Sequence, residues 1–377
     1  MACCRGSVAD VPRFLLNPAV RPEAVPEPSG DAAAFHVRLP GWRETPVRRL
    51  DAVAEELGLA GVALKDESDR LGLPAFKVLG ASWAVERALR EAPDTRTLVA
   101  ASAGNHGRAV AHVAAMRGLA CRIFVPDRAA ADRRAAIEAE GAELIVVDGD
   151  YEGAVARASE AAAEPGALGI ADVGGAGPAH WVIDGYHTLF AEAAAQAGFD
   201  ALLVPAGVGS FAAAAARYGA LAGKAVIAVE PDSAACVSAS LAAGEPTVVP
   251  TPGTRMAGMD CAEVSPAAWP SLRDGILGTV AVSDEEAVGA VRELAGLGYA
   301  IGDCGAAPLA ALRALMTEPG GADLRAAAGL DRPGARVLLV ATEGVTDPAS
   351  YRNAVSKGGT DGLGSADPLT RAVDRWA

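Results

Sequence analysis

The chain has 377 residues, of which 51% are hydrophobic and 5% aromatic, and it carries a formal net charge of −14. This length suggests two domains, or one domain inserted into another. The negative charge argues against a nucleic-acid-binding protein, which needs a basic surface. The many small residues, including 43 glycines, favour helices packed closely on a parallel sheet.

The cysteines are dispersed and form no CxxC pair, so we expect reduced thiols in a cytoplasmic protein. The first residues lack the apolar core of a signal peptide, and the most apolar run, around residues 201–216, is interrupted by proline and glycine. We therefore expect no membrane span and, because Cys3-Cys4 has no His or Cys partners nearby, no metal site. The six cysteines of the chain are Cys3, Cys4, Cys121, Cys236, Cys261 and Cys304.

In chain order, residues 1–34 contain five prolines and predict an irregular arm, followed by a short helix at 51–57 and a strand at 62–64. Helices and strands then alternate with short turns, which predicts a parallel sheet with right-handed crossovers. The later helices are predicted at 82–90, 108–117, 131–140, 151–164, 181–197, 211–221, 233–243, 284–297 and 306–316. The later strands are predicted at 97–100, 121–125, 143–147, 201–205, 225–229 and 336–340.

Residues 64–84 have the pattern of a strand end, a polar turn and a helix start. The polar run 65–70 cannot be buried without partners. Lys77 stands at the helix start between Phe76 and Val78, where apolar walls and the helix dipole would lower the pKa of its amine. Such a lysine can form a Schiff base with a carbonyl. The alternative is a surface lysine whose stem lies on apolar neighbours.

Three more unusual turns follow predicted strands, and the carboxyl ends of parallel strands meet at one crevice. Ala206-Gly207-Val208-Gly209-Ser210 can point amides at a phosphate, although a tight packing turn is the alternative. Ser102-Ala103-Gly104-Asn105-His106-Gly107 can hold a carboxylate while its amide bonds a phenolic oxygen, unless His106 merely packs. Thr342 can bond a neutral ring nitrogen. Together the four turns supply what pyridoxal phosphate needs.

In these four turns the sequence resembles the fold-type II (tryptophan synthase β-like) pyridoxal-phosphate family of threonine dehydratase and serine racemase. Further blocks, in order over about residues 35–355, resemble its diaminopropionate ammonia-lyase branch. They are Phe35-His36, Leu39-Pro40-Gly41, Ala75-Phe76-Lys77-Val78-Leu79-Gly80, Asn105-His106-Gly107-Arg108, Trp181 to Gly185-Tyr186, Ala206-Gly207-Val208-Gly209-Ser210, Val229-Glu230-Pro231, Met256-Ala257-Gly258-Met259, and Thr342-Glu343-Gly344 to Asp347 and Tyr351.

The resemblance implies an α/β homodimer in which a large parallel-sheet domain, residues 35–77 and 171–357, binds the cofactor. A smaller inserted α/β domain, residues 78–170, would close over the substrate. Residues 358–377 look like a loosely ordered tail. The implied reaction is α,β-elimination from a small amino acid, namely conversion of 2,3-diaminopropionate to pyruvate and ammonia.

The resemblance also implies a role for each site residue. Lys77 would form the Schiff base, and the α-proton would leave to Lys77 or to a carboxylate, for which Asp172 is the candidate. Asn105 would contact the ring hydroxyl and Thr342 the ring nitrogen. The phosphate would lie on the amides of Ala206, Gly207, Val208, Gly209 and Ser210. The substrate carboxylate would lie on the turn formed by Ser102, Ala103, Gly104, Asn105 and His106.

One departure keeps other reactions open. The branch usually has an aspartate where this chain has Ala103, which removes a candidate base for the D-isomer and an attraction for an ammonium group. A serine/threonine-type dehydratase is therefore an alternative. So is a β-replacement synthase that adds a nucleophile to an aminoacrylate intermediate. A third possibility is a member that binds a ligand without catalysis.

Overall fold

The computed structural model describes residues 11–175 and 177–356 and contains two β-sheets. Cys3, Cys4 and the predicted tail lie outside the described residues. The strands are β1 Phe14–Leu16, β2 Val47–Arg49, β3 Gly61–Asp66, β4 Thr97–Ala101, β5 Ala120–Pro126, β6 Glu143–Val147, β7 Ala167–Gly169, β8 Ala201–Pro205, β9 Ala225–Pro231, β10 Gly278–Val282 and β11 Arg336–Ala341.

Fifteen α-helices in this part of the chain cover the sheets. They are α1 Ala32–His36, α2 Asp51–Glu56, α3 Val78–Glu91, α4 Asn105–Arg117, α5 Ala131–Glu138, α6 Tyr151–Ala162, α7 Pro178–Gly185, α8 His187–Gln196, α9 Ser210–Ala222, α10 Cys236–Ala243, α11 Trp269–Gly275, α12 Asp284–Gly296, α13 Asp303–Thr317, α14 Ala322–Ala327 and α15 Pro348–Ser356.

The large sheet has the order β1-β10-β9-β8-β11-β3-β2. Its five inner strands are parallel, whereas the short strands β1 and β2 pair antiparallel at the two edges. Strand β8 is buried along its whole length, as expected for a central strand with helices on both faces. One apolar cluster includes α3, α4, α7 and α9, and a second includes α12 and α13.

The small sheet has the order β6-β5-β4-β7 and is parallel throughout. Its strands lie in sequence between β3 and β8, so the unit is an insertion between two strands of the large sheet. Helix α3 packs against both α4 and α7, and thereby joins the two sheets. Gly80 and Gly185 allow this close crossing, because a Cβ at Gly185 would lie 2.6 Å from the carbonyl oxygen of Leu79.

Several predicted elements need correction. The arm predicted to be irregular contributes strand β1, which pairs with β10, a strand that the sequence analysis did not predict. The predicted helix at 181–197 is two helices, α7 and α8, which meet at Tyr186. No strand was predicted between residues 164 and 181, but this segment contains β7, which pairs with β4. Strand β1 was missed because a three-residue segment gives too little alternation to form a recognisable pattern.

The polar run after β3 is buried and paired, as its composition required. Lys65 and Arg70 are 0% exposed and both donate to the carboxylate of Glu192 on α8, at 2.8 and 2.7 Å. Arg70 also donates to Glu67 at 2.6 Å and lies over the ring of Trp42. This buried ion cluster therefore joins the N-terminal segment, β3 and α8. In residues 11–175 and 177–356, no helix has both the length and the apolar character needed to cross a bilayer.

Candidate active site

The four unusual turns follow the carboxyl ends of parallel strands. Strand β3 leads to the Lys77 turn, β8 to the turn at 206–210, and β11 to Thr342, whereas the turn at 102–107 follows β4 of the small sheet. The backbone joins two of them directly, because the Phe76 amide donates to the carbonyl of Thr342 at 3.2 Å. The crevice expected from the strand order is therefore present, and it lies between the two sheets.

Lys77 immediately precedes α3 and faces a carboxylate. Its Nζ donates to Oδ2 of Asp172 at 3.0 Å, and the ammonium lies 5.9 Å from the ring centre of Tyr186. Burial lowers the pKa of Lys77, but Tyr186 and Asp172 together raise it above its ordinary value. The prediction of a lowered pKa is wrong, because the sequence did not reveal that a tyrosine and a carboxylate lie beside the amine.

Asp172 is the residue at which the separate parts of the site meet. Burial raises the pKa of its carboxyl group, but the neighbouring His106 and Lys77 outweigh this and bring the pKa to about 2. Its carbonyl oxygen accepts a hydrogen bond from the Ser210 hydroxyl at 2.9 Å. Asp172 therefore links the lysine to the turn that was predicted to hold phosphate.

His106 does not point toward the substrate carboxylate, as the sequence analysis had expected. Its ring is 3% exposed, and Nε2 lies 2.9 Å from the carbonyl oxygen of Ile170, to which it donates. Nδ1 lies 3.7 Å from Oδ2 of Asp172 and has no hydrogen-bond partner in the described part of the chain. Burial lowers the pKa of His106. The ring thus faces Asp172, and a direct contact with a substrate carboxylate does not fit this placement.

The turn at 206–210 forms a bare backbone surface at the start of α9. A Cβ at Gly207 would lie 2.9 Å from Sγ of Cys261, and one at Gly209 would lie 2.5 Å from Cδ1 of Leu272. Gly209 also has a φ of +88°, which disfavours any other residue. The close approach of Cys261 and Leu272 explains why the turn consists of such small residues.

One part of the predicted phosphate site is wrong. The amide of Ala206 already donates to the carbonyl of Val229 at 2.8 Å, as a continuation of the β8–β9 ladder. Ala206 therefore belongs to the sheet. The remaining amides, from Gly207 to Ser210 and into the first turn of α9, stand at the positive end of a 13-residue helix, where an anion is favoured.

The turn at 102–107 is stabilised by the Ser102 side chain and is too closely packed for a larger residue at Gly107. The Gly104 amide donates to Oγ of Ser102 at 3.2 Å, and a Cβ at Gly107 would lie only 2.2 Å from the carbonyl oxygen of Ser102. Ala103, Gly104 and Asn105 line a cavity of about 100 Å³ between the two sheets. Arg255 and Asp303 of the large-sheet unit line its other side. The turn therefore borders a space in which a small molecule can bind.

Asn105 begins α4, and its Nδ2 donates to Oε2 of Glu343 at 2.7 Å. Glu343 follows Thr342 directly and was not predicted as a site residue. Thr342 itself is buried at the end of β11, beside the backbone of Phe76. The side chains assigned to the cofactor ring are thus brought to the same crevice as Lys77.

Comparison with known proteins agrees with this geometry. Residues 38–343 match the family described as "Pyridoxal-phosphate dependent enzyme". The chain belongs to this family. Diaminopropionate ammonia-lyase of Salmonella typhimurium is 32% identical over 371 residues, which cover 87% of this chain and 92% of that protein.

Solved structures place the chain in the same family. Diaminopropionate ammonia lyase from Escherichia coli has a TM-score of 0.83 at 30% identity, covering 92% of this chain and 97% of that one. The same E. coli enzyme has been solved in complex with an aminoacrylate-PLP azomethine reaction intermediate. Maize serine racemase, with a TM-score of 0.75 at 23% identity over 90% of this chain and 98% of its own, shows the fold alone. The predicted fold-type II architecture is confirmed.

The residues present fit the cofactor of this pyridoxal-phosphate-dependent family. An amine, Lys77, lies beside a helix start whose backbone is left bare by Gly207 and Gly209. Asn105 and Thr342 supply polar groups for a ring, and burial of Phe76 supplies an apolar wall. Such a combination of an amine, amide donors at a helix start and an apolar wall suits an aldehyde-bearing aromatic phosphate.

The sequence analysis missed three further side chains near Lys77. Tyr186 has a buried hydroxyl, and burial raises its pKa to about 12. The hydroxyl of Tyr151, at the start of α6, donates to the carbonyl of Ala101 at 3.4 Å. Cys261 lies against Gly207. Tyr186 stands in a block already quoted for the family, but nothing in the spacing around Tyr151 or Cys261 distinguishes them from ordinary packing residues.

Proposed function

We propose that this protein is a pyridoxal-phosphate-dependent ammonia-lyase that converts 2,3-diaminopropionate to pyruvate and ammonia. The observation that carries the proposal is the 3.0 Å contact between Nζ of Lys77 and the carboxylate of Asp172. This contact puts an amine for the cofactor and an acceptor for a proton in one place. Relatives that carry the name diaminopropionate ammonia-lyase support the choice of substrate.

Each group in the crevice has a distinct task in this proposal. Bound pyridoxal phosphate supplies an electron sink for the charge that develops when the α-proton leaves. Lys77 attaches the cofactor, and the amides of residues 207–210 hold its phosphate. Asn105 and Thr342 orient its ring, and the turn at 102–105 binds the carboxylate of the amino acid. Asp172 takes the α-proton and holds it beside Lys77.

The reaction balances without any further reactant except water. The α-C–H bond and the β-C–N bond break, and the β-amino group leaves as ammonia with a proton supplied from Asp172 or Lys77. Water then releases the second nitrogen as ammonia and leaves pyruvate. Because Nε2 of His106 donates to Ile170, its Nδ1 carries no hydrogen in the neutral ring and faces Asp172 as an acceptor once that carboxylate has taken the α-proton.

The first test is release of pyruvate from L- and D-2,3-diaminopropionate, with L-serine and L-threonine beside them, by the holoenzyme and by Lys77→Ala. We expect turnover of L-diaminopropionate that is lost in the variant. Absence of any 2-oxo acid from the four compounds, with the cofactor bound, would contradict the elimination and favour β-replacement. That outcome would be examined by adding thiols or amines as second substrates.

A serine/threonine-type dehydratase is the second candidate, and Ala103 is the observation that favours it. This residue lines the cavity next to Asn105 and supplies no charge there for an ammonium-bearing side chain. Turnover of L-serine or L-threonine alone would establish this reading. Turnover of diaminopropionate by Ala103→Asp but not by the natural chain would point the same way.

We also propose that the protein is a cytoplasmic homodimer whose small domain, residues 78–170, moves against the large domain, residues 35–77 and 171–357. The family resemblance supports the dimer, and the reduced cysteines support the compartment: Cys121, Cys236, Cys261 and Cys304 are free. Light scattering during size-exclusion chromatography is expected to give twice the mass of the 37.9 kDa chain. A single chain mass at micromolar concentration would contradict the dimer.

A further inference from the structure

Asn105 and Glu343 connect the two sheets across the crevice. Asn105 is the first residue of α4, which packs on the small sheet, and Glu343 follows β11 of the large sheet. Their side chains meet in one hydrogen bond, from Nδ2 to Oε2, of 2.7 Å. Both residues line the cavity between the sheets. The bond is therefore a contact between the two units, and Glu343 directly follows Thr342, the residue proposed to orient the cofactor ring.

Glu343 is held rigidly on the large-sheet side. Its carbonyl accepts from the Gly302 amide at 3.2 Å, and its neighbour Gly344 donates to the carbonyl of Pro74 at 2.9 Å. The approach of α13 is so close that a Cβ at Gly305 would lie 2.6 Å from the Glu343 carbonyl oxygen. The Glu343 side chain is 7% exposed and stands on this fixed backbone. Its carboxylate therefore accepts the hydrogen bond from Asn105 at a fixed position.

The chemistry of the pair determines the orientation of the Asn105 amide. A carboxylate only accepts hydrogen bonds, whereas an asparagine amide has one accepting oxygen and a nitrogen with two hydrogens. Glu343 can therefore bond only the nitrogen end. One hydrogen of Nδ2 is used in this bond, and the second remains for another acceptor.

We propose that Glu343 is a positioning residue that fixes the amide of Asn105 so that its second N–H is offered to the ring oxygen of pyridoxal phosphate. This rests on the role proposed above for Asn105. Without Glu343 the amide can turn over and present its carbonyl oxygen to that electron-rich oxygen. Cofactor affinity and the absorption of the lysine-bound cofactor then depend on a residue that need not touch the cofactor.

The test is a double-mutant cycle of Glu343→Gln and Asn105→Ala on the full-length chain. The readouts are the dissociation constant of pyridoxal phosphate, measured by titration of the apoprotein, and the absorption band of the bound cofactor. Glutamine has nearly the same shape but also donates, so it no longer dictates the amide orientation. We expect Glu343→Gln to weaken cofactor binding by roughly tenfold and to shift the band, since a hydrogen bond is worth about 0.5–1.5 kcal/mol, more when one partner is charged.

The decisive comparison is between the two backgrounds. In the Asn105→Ala chain, Glu343→Gln is expected to change cofactor affinity by less than about twofold, because coupled residues are non-additive. An equal loss in both backgrounds, or no loss in the natural background, would overturn the proposal. Thermal unfolding of the apoproteins identifies a merely structural role, which would lower the melting temperature in both backgrounds. Glu293→Gln, at an ion pair with Arg313 away from the crevice, is the matched control.

Failure of this inference can be distinguished from failure of the proposed function. If Asn105→Ala binds the cofactor as the natural chain does, both the role of Asn105 and the inference about Glu343 are overturned. If the double-mutant cycle gives the expected coupling but no pyruvate forms, the elimination reaction is wrong and the role of Glu343 is supported.

Discussion

Asp172 determines the charge of the crevice at neutral pH. Because its pKa is about 2, the carboxylate is ionised, and together with Tyr186 it raises the pKa of Lys77 above its ordinary value. Attack of Lys77 on the aldehyde therefore requires the amine to give up a proton first. Asp172 lies within hydrogen-bond distance of Nζ and can receive it.

Removing the charge of Asp172 is expected to slow catalysis. Asp172→Asn keeps a side chain that can bond Nζ of Lys77 but removes the proton acceptor. We expect the kcat/KM for diaminopropionate to fall by about 10²–10⁴-fold in initial-rate assays, the usual contribution of a general base. Asp200→Asn is the control, since Asp200 pairs with Arg336 at the exposed amino ends of the strands. A variant that keeps more than about a tenth of the natural rate would exclude this role.

The sequence predicted the identity of Lys77 but not its environment. A lysine at a helix start after a buried strand is a local pattern, whereas its contact with Asp172 joins positions 95 residues apart. For the same reason the orientation of His106 toward Asp172 could not be predicted, since it depends on the carbonyl of Ile170. Charge contacts between distant segments decide the sign of a pKa shift, and they follow from the fold.

At the scale of elements, α9 and its preceding turn form the proposed anion site. Gly209 and Gly223 stand at the two ends of this helix, both with positive φ, of +88° and +64°. A Cβ would clash with Leu272 at Gly209 but would meet nothing within 4 Å at Gly223. An alanine at Gly223 therefore adds backbone strain alone, whereas an alanine at Gly209 adds the same strain and a clash at the proposed anion site.

We expect Gly209→Ala to bind pyridoxal phosphate at least about tenfold more weakly, because the turn must shift away from Leu272. Gly223→Ala is expected to lose about 1 kcal/mol of stability by the left-handed strain alone, with unchanged cofactor affinity. The measurements are cofactor titration of each apoprotein and urea unfolding. Equal cofactor affinity of Gly209→Ala and the natural chain would show that the turn does not hold the phosphate.

His36 connects three helices and gives the fold a pH dependence. On α1, its Nδ1 lies 2.8 Å from Oγ1 of Thr188 on α8, and its Nε2 lies 3.0 Å from the carbonyl oxygen of Leu79 on α3. Burial lowers the pKa of His36 to about 3, against 6.5 for the ordinary group. Below pH 6.5 the unfolded chain takes up a proton that the folded chain refuses, so stability falls as the pH falls toward 3.

The expected contribution of His36 is up to about 1.4 kcal/mol of unfolding free energy per pH unit over that window. Urea unfolding of the natural chain and of His36→Gln between about pH 5 and pH 6.5 measures it as a difference in slope. His180→Gln, at a partly exposed histidine whose Nε2 lies 3.2 Å from the carbonyl oxygen of Gly175, is the control substitution. Identical slopes for His36→Gln and the natural chain would contradict the lowered pKa.

The strength of a sequence pattern decided how well each element was predicted. Strands β8 and β6 were predicted to the residue, because each is bounded by clear turn residues. The edge strand β1 was missed because its three residues give no clear alternation, and β10, which lies between β1 and β9, was missed as well. The site turns were predicted because they combine glycine with polar residues directly after strands, which few packing segments do.

At the scale of the whole molecule, the buried ion cluster of Lys65, Glu67, Arg70 and Glu192 holds segments that are distant in sequence. The sequence indicated that the polar run needs partners, but Glu192 on α8 could not be identified, since nothing local marks it. Two cations and two carboxylates balance each other in a space closed to water. Removing one charge leaves its partners uncompensated.

Arg70→Met is therefore expected to destabilise the protein by about 3–5 kcal/mol, since two buried carboxylates are then left with Lys65 alone. Urea unfolding of the apoprotein measures the loss. Arg157→Met removes an exposed ion pair with Glu160 and is expected to cost less than about 1 kcal/mol. Similar stabilities of the two variants would mean that water reaches the Arg70 cluster in solution.

The pairing of β3 with β11 has a consequence for how the protein is made. Gly61 pairs with Arg336, so strand β3 must wait until the much later strand β11 has been synthesised before it has this neighbour. The small sheet, by contrast, is built from strands that follow one another closely, and it can form while the ribosome is still at work. Lys77 and Thr342 therefore come together only after β11 has been synthesised, and a nascent chain cannot bring both residues to the cofactor before then.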